Sequence, residues 1–331
     1  MTYRALLLGC GKIGSEFADD PLIEGVYTHA GAYEAHPATS LVAVCDASPE
    51  KAERCALRWG VTHWGTDPVK LLSAVQPDIV SICTPDETHV DLIDAALATP
   101  SVRAVFAEKP LATGLDDAQR IKRRAEEVGV VLAVNFIRRY AEGHQALRKQ
   151  IANGGLGTIY AVNGYYTKGT LHNGGHWFDT ARFLIGEIAE VQAWNTLGEH
   201  APDPTLDVRL VFANGACGYL QALDANSYSL FEMDITGSKG RARITDSGHC
   251  IELYDVVDSP RYSGYRALRE RAVVPGGMEN CTFNALADLV RCLESGGAPL
   301  CSVSDGLAAI VIGMAARESV QSNRPETIKL D

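Results

Sequence analysis

Short apolar runs alternate with amphipathic stretches through the first half of the chain. The runs are bounded by Gly, Pro or charged residues, as buried strands are, and lie at 3–8, 41–46, 77–83, 102–107 and 130–134. A weaker strand is predicted at 61–64, and helices at 49–59, 67–74 and 115–128. Strands that alternate with helices in this way predict an α/β domain over 1–134, built on a doubly wound parallel sheet.

The pattern changes after residue 134. Helical periodicity runs to Ala152 and stops at Asn153-Gly154-Gly155. Strand-like stretches then follow at 157–167, 187–197, 205–213, 215–224, 229–237, 241–246 and 249–257, and helices are predicted at 279–295 and 304–322. Consecutive strands without helices between them predict a large, open, mostly antiparallel sheet in an α+β domain over 135–331. Since the helices cover one face, we expect the other to pack against a second copy in a homodimer or homotetramer.

Composition narrows the class of ligand. The 331 residues carry a net charge of −11, which argues against nucleic acid or an anionic membrane as a partner. Nine scattered cysteines without a Cys-x-x-Cys pair indicate reduced thiols and a cytoplasmic protein. We find no apolar run of about 20 residues that would span a bilayer and no signal-peptide pattern after Met1. A ligand that is small, neutral or steered by local charges fits this composition better.

Glycines follow the first predicted strand in the pattern Gly-x-Gly-x-x-Gly. Such a turn lets the backbone approach a pyrophosphate at a helix N-terminus, although an ordinary glycine turn is the alternative. We assign to a dinucleotide site Gly9, Gly11, Lys12, Ile13 and Gly14.

Asp46 closes the second predicted strand, where a carboxylate binds ribose hydroxyls and repels a 2'-phosphate, so NAD is favoured over NADP. Asp46 lies 32 residues beyond Gly14 instead of about 20, which indicates an insertion. Residues 15–28 read as a loop, with Thr28 capping a new helix. The alternative for Asp46 is a charge at the N-terminus of the next helix.

Two further strand ends carry candidate chemistry. Thr84 and Pro85 follow the run 77–83, and His89 begins the next helix; we assign all three to the cofactor, with a surface position as the alternative for His89. Glu108-Lys109-Pro110 ends the run 102–107, where a lysine can hold its ammonium against a substrate hydroxyl. Solvated charges before a turn are the alternative there.

The second chemical stretch is His172-Asn173-Gly174-Gly175-His176, followed by Asp179. With Asn173 as N-cap, His176 lies in the first turn of a helix, whose positive end disfavours imidazolium and leaves the ring ready to accept a proton. The alternative is a histidine that packs on Trp177 or caps its own helix. We predict no metal site, because His172, His176 and Asp179 lack a clear further ligand.

Together these motifs resemble the glucose-fructose oxidoreductase and inositol dehydrogenase family, Gfo/Idh/MocA, over nearly the whole chain. The resemblance implies a Rossmann domain, and it implies that Lys109 and His176 flank the substrate carbinol beside the nicotinamide. Many members have Asp four residues before the histidine, where this chain has His172. That difference leaves the proton-relay partner open.

The resulting hypothesis is reversible hydride transfer between NAD and a secondary alcohol of a sugar, polyol, inositol or nucleotide-sugar. Glu108 and Lys109 would also contact the cofactor. A solvated surface role is the alternative for four of the candidate substrate contacts, Arg138, Lys168, His172 and Asn173. The full set is Lys109, Arg138, Lys168, His172, Asn173, His176 and Asp179. The rival functions are a glycosidase that uses NAD for transient oxidation and a non-catalytic dinucleotide-binding sensor.

Overall fold

The computed structural model describes residues 2–330, so Met1 and Asp331, the outermost residues of the two predicted domains, lie outside it. The elements of the first half are β1 (Tyr3–Leu8), α1 (His29–Ala35), β2 (Thr39–Cys45), α2 (Pro49–Trp59), β3 (His63–Gly65), α3 (Pro68–Val75), β4 (Ile79–Ile82), α4 (His89–Leu97), β5 (Ala104–Ala107), α5 (Leu115–Val128) and β6 (Val131–Val134). Those of the second half are α6 (Glu142–Ala152), β7 (Ile159–Tyr166), α7 (Gly174–Ile185), β8 (Ile188–Trp194), β9 (Asp207–Phe212), β10 (Cys217–Ala222), β11 (Phe231–Gly237), β12 (Gly240–Thr245), β13 (Cys250–Asp258), β14 (Arg266–Pro275), α8 (Cys281–Ser295), α9 (Val303–Ser322) and β15 (Glu326–Thr327).

The chain forms two compact units that do not divide at one point in the sequence. One unit contains the chain through Tyr140 together with Glu279–Ile310. The other contains Ala141–Met278 and the chain from Val311 onward. A linear division at 134/135 therefore assigns α8 to the second domain, whereas in the structure this helix packs on β5 and β6 of the first.

The sheet of the first unit is parallel throughout, in the order β3-β2-β1-β4-β5-β6. Its central strands are buried on both faces, which explains why they read as continuous apolar runs. Strands β2 and β3 lie in turn on one side of β1, and strands β4, β5 and β6 lie in turn on its other side. The predicted doubly wound sheet is confirmed, and the order reverses between β1 and β4.

Local signals set the helix ends in this unit. Ser48 and Asp67 accept backbone hydrogen bonds from Lys51 and Lys70 at the starts of α2 and α3. Gly60 and Gly129 adopt left-handed conformations that end α2 and α5. The predicted helices at 49–59 and 115–128 are therefore confirmed residue for residue.

An insertion interrupts the first helix of this unit. The amide of His29 donates to the oxygen of Ile13 (3.1 Å), and that of Ala30 donates to Gly14 (3.0 Å). These bonds span 16 residues instead of the 4 of a continuous helix, so about 12 residues are looped out. Removing 12 from the 32 residues between Gly14 and Asp46 leaves 20, the separation usual for this fold.

The structure confirms the predicted loop and the predicted cap in this region. Between the glycine turn and α1 the chain forms turns and one short 3₁₀ segment, Glu16–Asp19. Thr28 then caps α1 by accepting from the amide of Gly31 (3.1 Å).

The second unit contains a nine-stranded sheet in the order β14-β13-β12-β11-β7-β10-β9-β8-β15. The paired strands are antiparallel except β7 and β10, which confirms a mostly antiparallel sheet. The sequence patterns missed β14 and β15. Strand β14 is charged and largely exposed, so it lacks apolar alternation, and β15 has two residues.

Helix α7 is anchored on the covered face of this sheet by Trp177. The indole is fully buried and donates to the backbone oxygen of Glu232 in β11 (3.1 Å). A Cβ on Gly164 of β7 would lie 2.3 Å from the indole nitrogen, so only glycine leaves room for this ring.

No described helix of the chain is long and apolar enough to cross a membrane.

Two glycines of the first turn provide a matched test of this packing. Gly14→Ala should lower the free energy of unfolding by about 1–3 kcal/mol, because its Cβ would lie 2.1 Å from the oxygen of Gly9. Gly11→Ala is the control, since no atom lies within 4 Å of its Cβ position, and it should change stability by less than about 1 kcal/mol. Denaturant unfolding of both variants measures the difference, and equal stabilities would contradict the proposed crowding at Gly14.

Candidate active site

Three glycines shape the turn after β1, and each has a different environment. Gly9 has a φ of +95°, and its Cβ would lie 2.4 Å from the backbone oxygen of Cys83. A Cβ on Gly14 would likewise lie 2.1 Å from the backbone oxygen of Gly9. Gly11 differs, because the space at its Cβ position is open and borders a cavity. A phosphate could therefore approach the backbone at Gly11.

This cavity has a volume of about 560 Å³ and lies at the carboxyl ends of β1, β2 and β4. Five of the predicted cofactor residues border it, namely Gly9, Gly11, Asp46, Thr84 and Pro85. Its position spans the reversal of strand order, where open α/β sheets bind nucleotides. The open space at Gly11 and the carboxylate of Asp46 are the features that a dinucleotide requires.

Asp46 is held at the cavity by two backbone groups. Its Oδ2 accepts from the amide of Cys10 (2.8 Å), and its Oδ1 accepts from the amide of Ser48 (2.9 Å). A carboxylate has about four acceptor positions, so two amides leave capacity for ligand hydroxyls. The two interpretations of Asp46 are compatible, since it both orders the start of α2 and faces the cavity.

Six predicted cofactor residues do not border this cavity, namely Lys12, Ile13, Gly14, His89, Glu108 and Lys109. Lys12 is exposed, with its Nζ 5.8 Å from the centre of the Phe17 ring, and Ile13 packs against the apolar core. His89 is fully buried, with Nε2 2.9 Å from the oxygen of Thr84 and Nδ1 2.7 Å from that of Pro110. Both ring nitrogens therefore lie against backbone oxygens that follow β4 and β5, and neither nitrogen faces the cavity.

Glu108 is the centre of a buried polar group at the end of β5. Its Oε1 accepts from Nδ2 of Asn135 (2.7 Å) and lies 3.1 Å from Nε2 of His29. Burial by itself would raise the pKa of Glu108, but the hydrogen bond and charge of His29, with Asn135 and the charge of Lys109, lower it below its usual value. Glu108 is therefore ionised, and the stability it contributes is lost only as the pH falls through that lowered pKa.

Lys109 and Arg138 follow β5 and β6 at the same edge of the sheet. Lys109 is half-buried and joined to Pro110 by a cis peptide bond. Arg138 is buried in the 3₁₀ turn Ile137–Tyr140. Burial raises the pKa of the Tyr27 hydroxyl, the charge of Arg138 opposes this, and that of Glu108 adds to it. The insertion thus brings Tyr27 into the electrostatic reach of this edge.

In the second unit, the stretch around His176 is helical from an earlier point than predicted. A π-helical turn over Gly169–Asn173 leads directly into α7, so Asn173 has helical angles and its side chain caps nothing. The capping role belongs instead to Asp203, whose carboxylate accepts from the amides of Leu171 (2.9 Å) and His172 (3.0 Å). Sequence reasoning missed this because Asp203 is some 30 residues away.

The predicted substrate residues of this unit differ in exposure. His176 is half-buried in the first turn of α7, and Asp179 is fully buried one turn later. His172 and Lys168 are exposed, and Lys168 has a φ of +68° just before the π-helical turn. Within residues 2–330, no group of three or more His, Cys, Asp or Glu side chains could hold a metal ion.

Two sets of residues that sequence reasoning missed belong to this site. Lys51, Thr66 and Thr88 border the cavity, and only the folded strand order brings them there. His29 and Asn135 contact Glu108. The position of Asn135 directly after a buried strand could have indicated its role. For His29 the sequence held no such indication, because the insertion separates it from the glycine turn.

Two family models match the chain. Residues 3–136 match an oxidoreductase family with an NAD-binding Rossmann fold, and residues 144–243 match the Gfo/Idh/MocA C-terminal domain. Together they cover more than half of the chain.

Similar proteins extend over the full length. An NAD(+)-dependent scyllo-inositol 2-dehydrogenase of Bacillus subtilis is 24% identical, covering 99% of this chain and 96% of its own. An inositol 2-dehydrogenase of Rhizobium meliloti is 27% identical over 99% and 100%. The fold also matches the structure of a levoglucosan dehydrogenase in complex with NADH and levoglucosan, with a TM-score of 0.84, 19% identity and coverage of 99% and 100%. The chain therefore belongs to the Gfo/Idh/MocA family of oxidoreductases, whose N-terminal domain is an NAD-binding Rossmann fold.

Proposed function

We propose that this protein is an NAD-dependent dehydrogenase that oxidises a secondary alcohol of a sugar, polyol, inositol or nucleotide-sugar, reversibly. The observation that carries the proposal is a lysine at the carboxyl end of β5, directly after an ionised, largely buried Glu108. The neighbouring strand ends border a cavity suited to a dinucleotide. Relatives named as inositol dehydrogenases support the same substrate class.

In the proposed mechanism, bound NAD supplies the hydride acceptor, and the chain supplies binding and proton transfer. The backbone at Gly11 would hold the pyrophosphate, and Asp46 would accept hydrogen bonds from the ribose hydroxyls. Lys109 hydrogen-bonds the substrate hydroxyl and stabilises the developing alkoxide. His176 takes or relays the proton.

The remaining contacts are proposed by their chemistry. Arg138 and Lys168 are cations that could bind a substrate carboxylate or phosphate. His172 and Asn173 would hydrogen-bond hydroxyl groups of the substrate, whereas the full burial of Asp179 argues against the direct contact predicted for it. Asp203 is proposed as the residue that orders the turn carrying His172, because it holds the backbone there.

We also propose a homodimer or homotetramer that associates through the outward face of the nine-stranded sheet. Tyr165 and Tyr219 on neighbouring strands are 43% and 52% exposed, beside a groove that also contains Glu232 and Arg243. Tyr and Arg are enriched in protein interfaces. The cytoplasm is proposed as its compartment, since the nine cysteines, all within the described residues, form no disulfide and seven of them are buried.

The cofactor preference is tested at Asp46. Asp46→Ala should weaken NAD binding and narrow its advantage over NADP, because the charge that opposes a 2'-phosphate is gone. Asp46→Asn is the matched control, since it removes the charge and retains an acceptor for the ribose. Titration of both cofactors measures the effect, and tighter binding of NADP than NAD by the wild-type protein would contradict the assignment.

The division of proton transfer is tested at Lys109 and His176. Lys109→Ala and His176→Ala should each lower kcat by about a hundredfold to ten-thousandfold with little change in NAD affinity. Lys109→Arg should not restore activity, because a guanidinium keeps its proton. His249→Ala, at an exposed histidine of the same unit as His176, is the control. Normal turnover in His176→Ala with a collapse in His172→Ala would assign the base to His172.

The substrate class is tested by a screen of inositols, aldoses, uronic acids and nucleotide-sugars with NAD. A dehydrogenase accumulates reduced cofactor in proportion to product. Product formation without net reduction of NAD would instead indicate the glycosidase. Tight NAD binding with no turnover of any substrate would favour the non-catalytic sensor.

The association surface is tested by light scattering at micromolar concentration. We expect at least a dimer in the wild-type protein, and dissociation in Tyr165→Glu/Tyr219→Glu, because buried like charges oppose association. Tyr262→Glu, in the turn between β13 and β14, is the control. A monomeric wild-type protein would contradict the proposal.

A further inference from the structure

A buried line of hydrogen bonds leads to the carboxylate of Glu108. The hydroxyl of Tyr33 lies 2.7 Å from Oγ of Ser81, which lies 2.9 Å from Nδ1 of His29. Nε2 of His29 lies 3.1 Å from Oε1 of Glu108. Tyr33, Ser81 and His29 are each 0% exposed, so water does not compete for these bonds.

The direction of the last bond follows from its acceptor. An ionised carboxylate can only accept, so Nε2 of His29 carries a proton and donates it whether the ring is neutral or charged. In the neutral ring Nδ1 accepts from Ser81, and Ser81 accepts from Tyr33, so each proton has one acceptor. Burial keeps Ser81 from any substrate, which excludes this Ser-His-Glu arrangement as a nucleophilic site.

His29 contacts the end of β5 at two points. Its ring lies 4.2 Å from that of Phe106, between ring centres, and Phe106 precedes Glu108 by two residues. Alternate residues of an extended chain face the same side, so one imidazole packs on Phe106 and hydrogen-bonds Glu108. The next residue along the chain is Lys109.

Few charged or titratable groups face Glu108. His29 from α1 and Lys109 beside it both favour its ionised form, and Asn135 after β6 donates to it. Cys83 after β4 and Tyr27 of the insertion also lie within its electrostatic reach. The charge of Glu108 thus depends mainly on His29.

We propose that His29 is a positioning residue that acts through Glu108. It fixes the strand end from which Lys109 projects and keeps a negative charge beside the lysine ammonium. This inference rests on the proposed function, because it has meaning only if Lys109 takes part in the reaction. His29 is fully buried and does not border the cavity at the ends of β1, β2 and β4.

The test compares variants of His29 by kcat, KM and pH profile, with NAD binding and thermal melting to verify the fold. His29→Leu should lower kcat by about a hundredfold with little change in NAD affinity, because a misplaced catalytic group costs about that much. Only Asn135 and Lys109 then oppose the effect of burial on the pKa of Glu108, so the acid limb of the kcat profile should move to higher pH. His29→Gln offers one donor and one acceptor and should recover most of kcat. Glu108→Gln should lower kcat without the shifted limb, since an amide does not titrate.

Ser81→Ala should show a smaller loss of kcat in the same direction, and it carries the test if His29→Leu does not fold. His63→Gln, at an exposed histidine on β3, is the control. An unchanged kcat and pH profile in a folded His29→Leu, or in Ser81→Ala if that variant alone folds, would overturn the inference. If Lys109→Ala is inactive in the same assays, an unchanged His29→Leu or Ser81→Ala variant contradicts only the role of His29. Normal turnover in Lys109→Ala would contradict the proposed function itself.

Discussion

The largely buried carboxylate of Glu108 at the end of a central strand needs hydrogen-bond donors from the surrounding structure. An unpaired buried charge costs several kcal/mol, so Glu108 requires donors on its inner side. His29 at the start of α1 and Asn135 at the end of β6 supply them. Three segments far apart in sequence therefore meet at one edge of the sheet, and the orientation of Lys109 depends on that meeting. His89 forms a second contact there, because its ring nitrogens lie against the backbone oxygens of Thr84 and Pro110.

The insertion is tolerated because it leaves the helix it interrupts nearly intact. Backbone hydrogen bonds pass from His29 and Ala30 directly to Ile13 and Gly14 across the loop. The far side of the loop is held by the segment that leads into α8. The amide of Val26 donates to the side chain of Asn280 (3.1 Å), and the hydroxyl of Thr282 donates to the oxygen of Tyr27 (2.9 Å). These contacts help to explain why residues 279–310 fold with the first unit.

The turn before α7 illustrates how a local signal can be correct in position and wrong in mechanism. The stretch around Asn173 does begin a helix, and His176 does lie in its first turn. The amides there are satisfied by Asp203, however, and the helix is located by the buried indole of Trp177. Asp203 and the Glu232 oxygen that accepts from Trp177 both lie far away along the chain. Free N–H groups at a helix start can donate to any carboxylate that the fold brings near.

The sequence by itself determined the doubly wound parallel sheet, the antiparallel second sheet, the bounds of α2 and α5, and the border positions of Gly9, Gly11, Asp46, Thr84 and Pro85. These depend on local periodicity, on caps, and on the rule that ligands bind at the carboxyl ends of parallel strands. Only the tertiary structure decided the roles of His29, His89, Asn135 and Asp203, the place of α8 in the first unit, and the charged edge strand β14. Their partners lie tens of residues or more away along the chain or leave no apolar pattern, and hydrogen bonding between distant segments has no signature in a linear sequence.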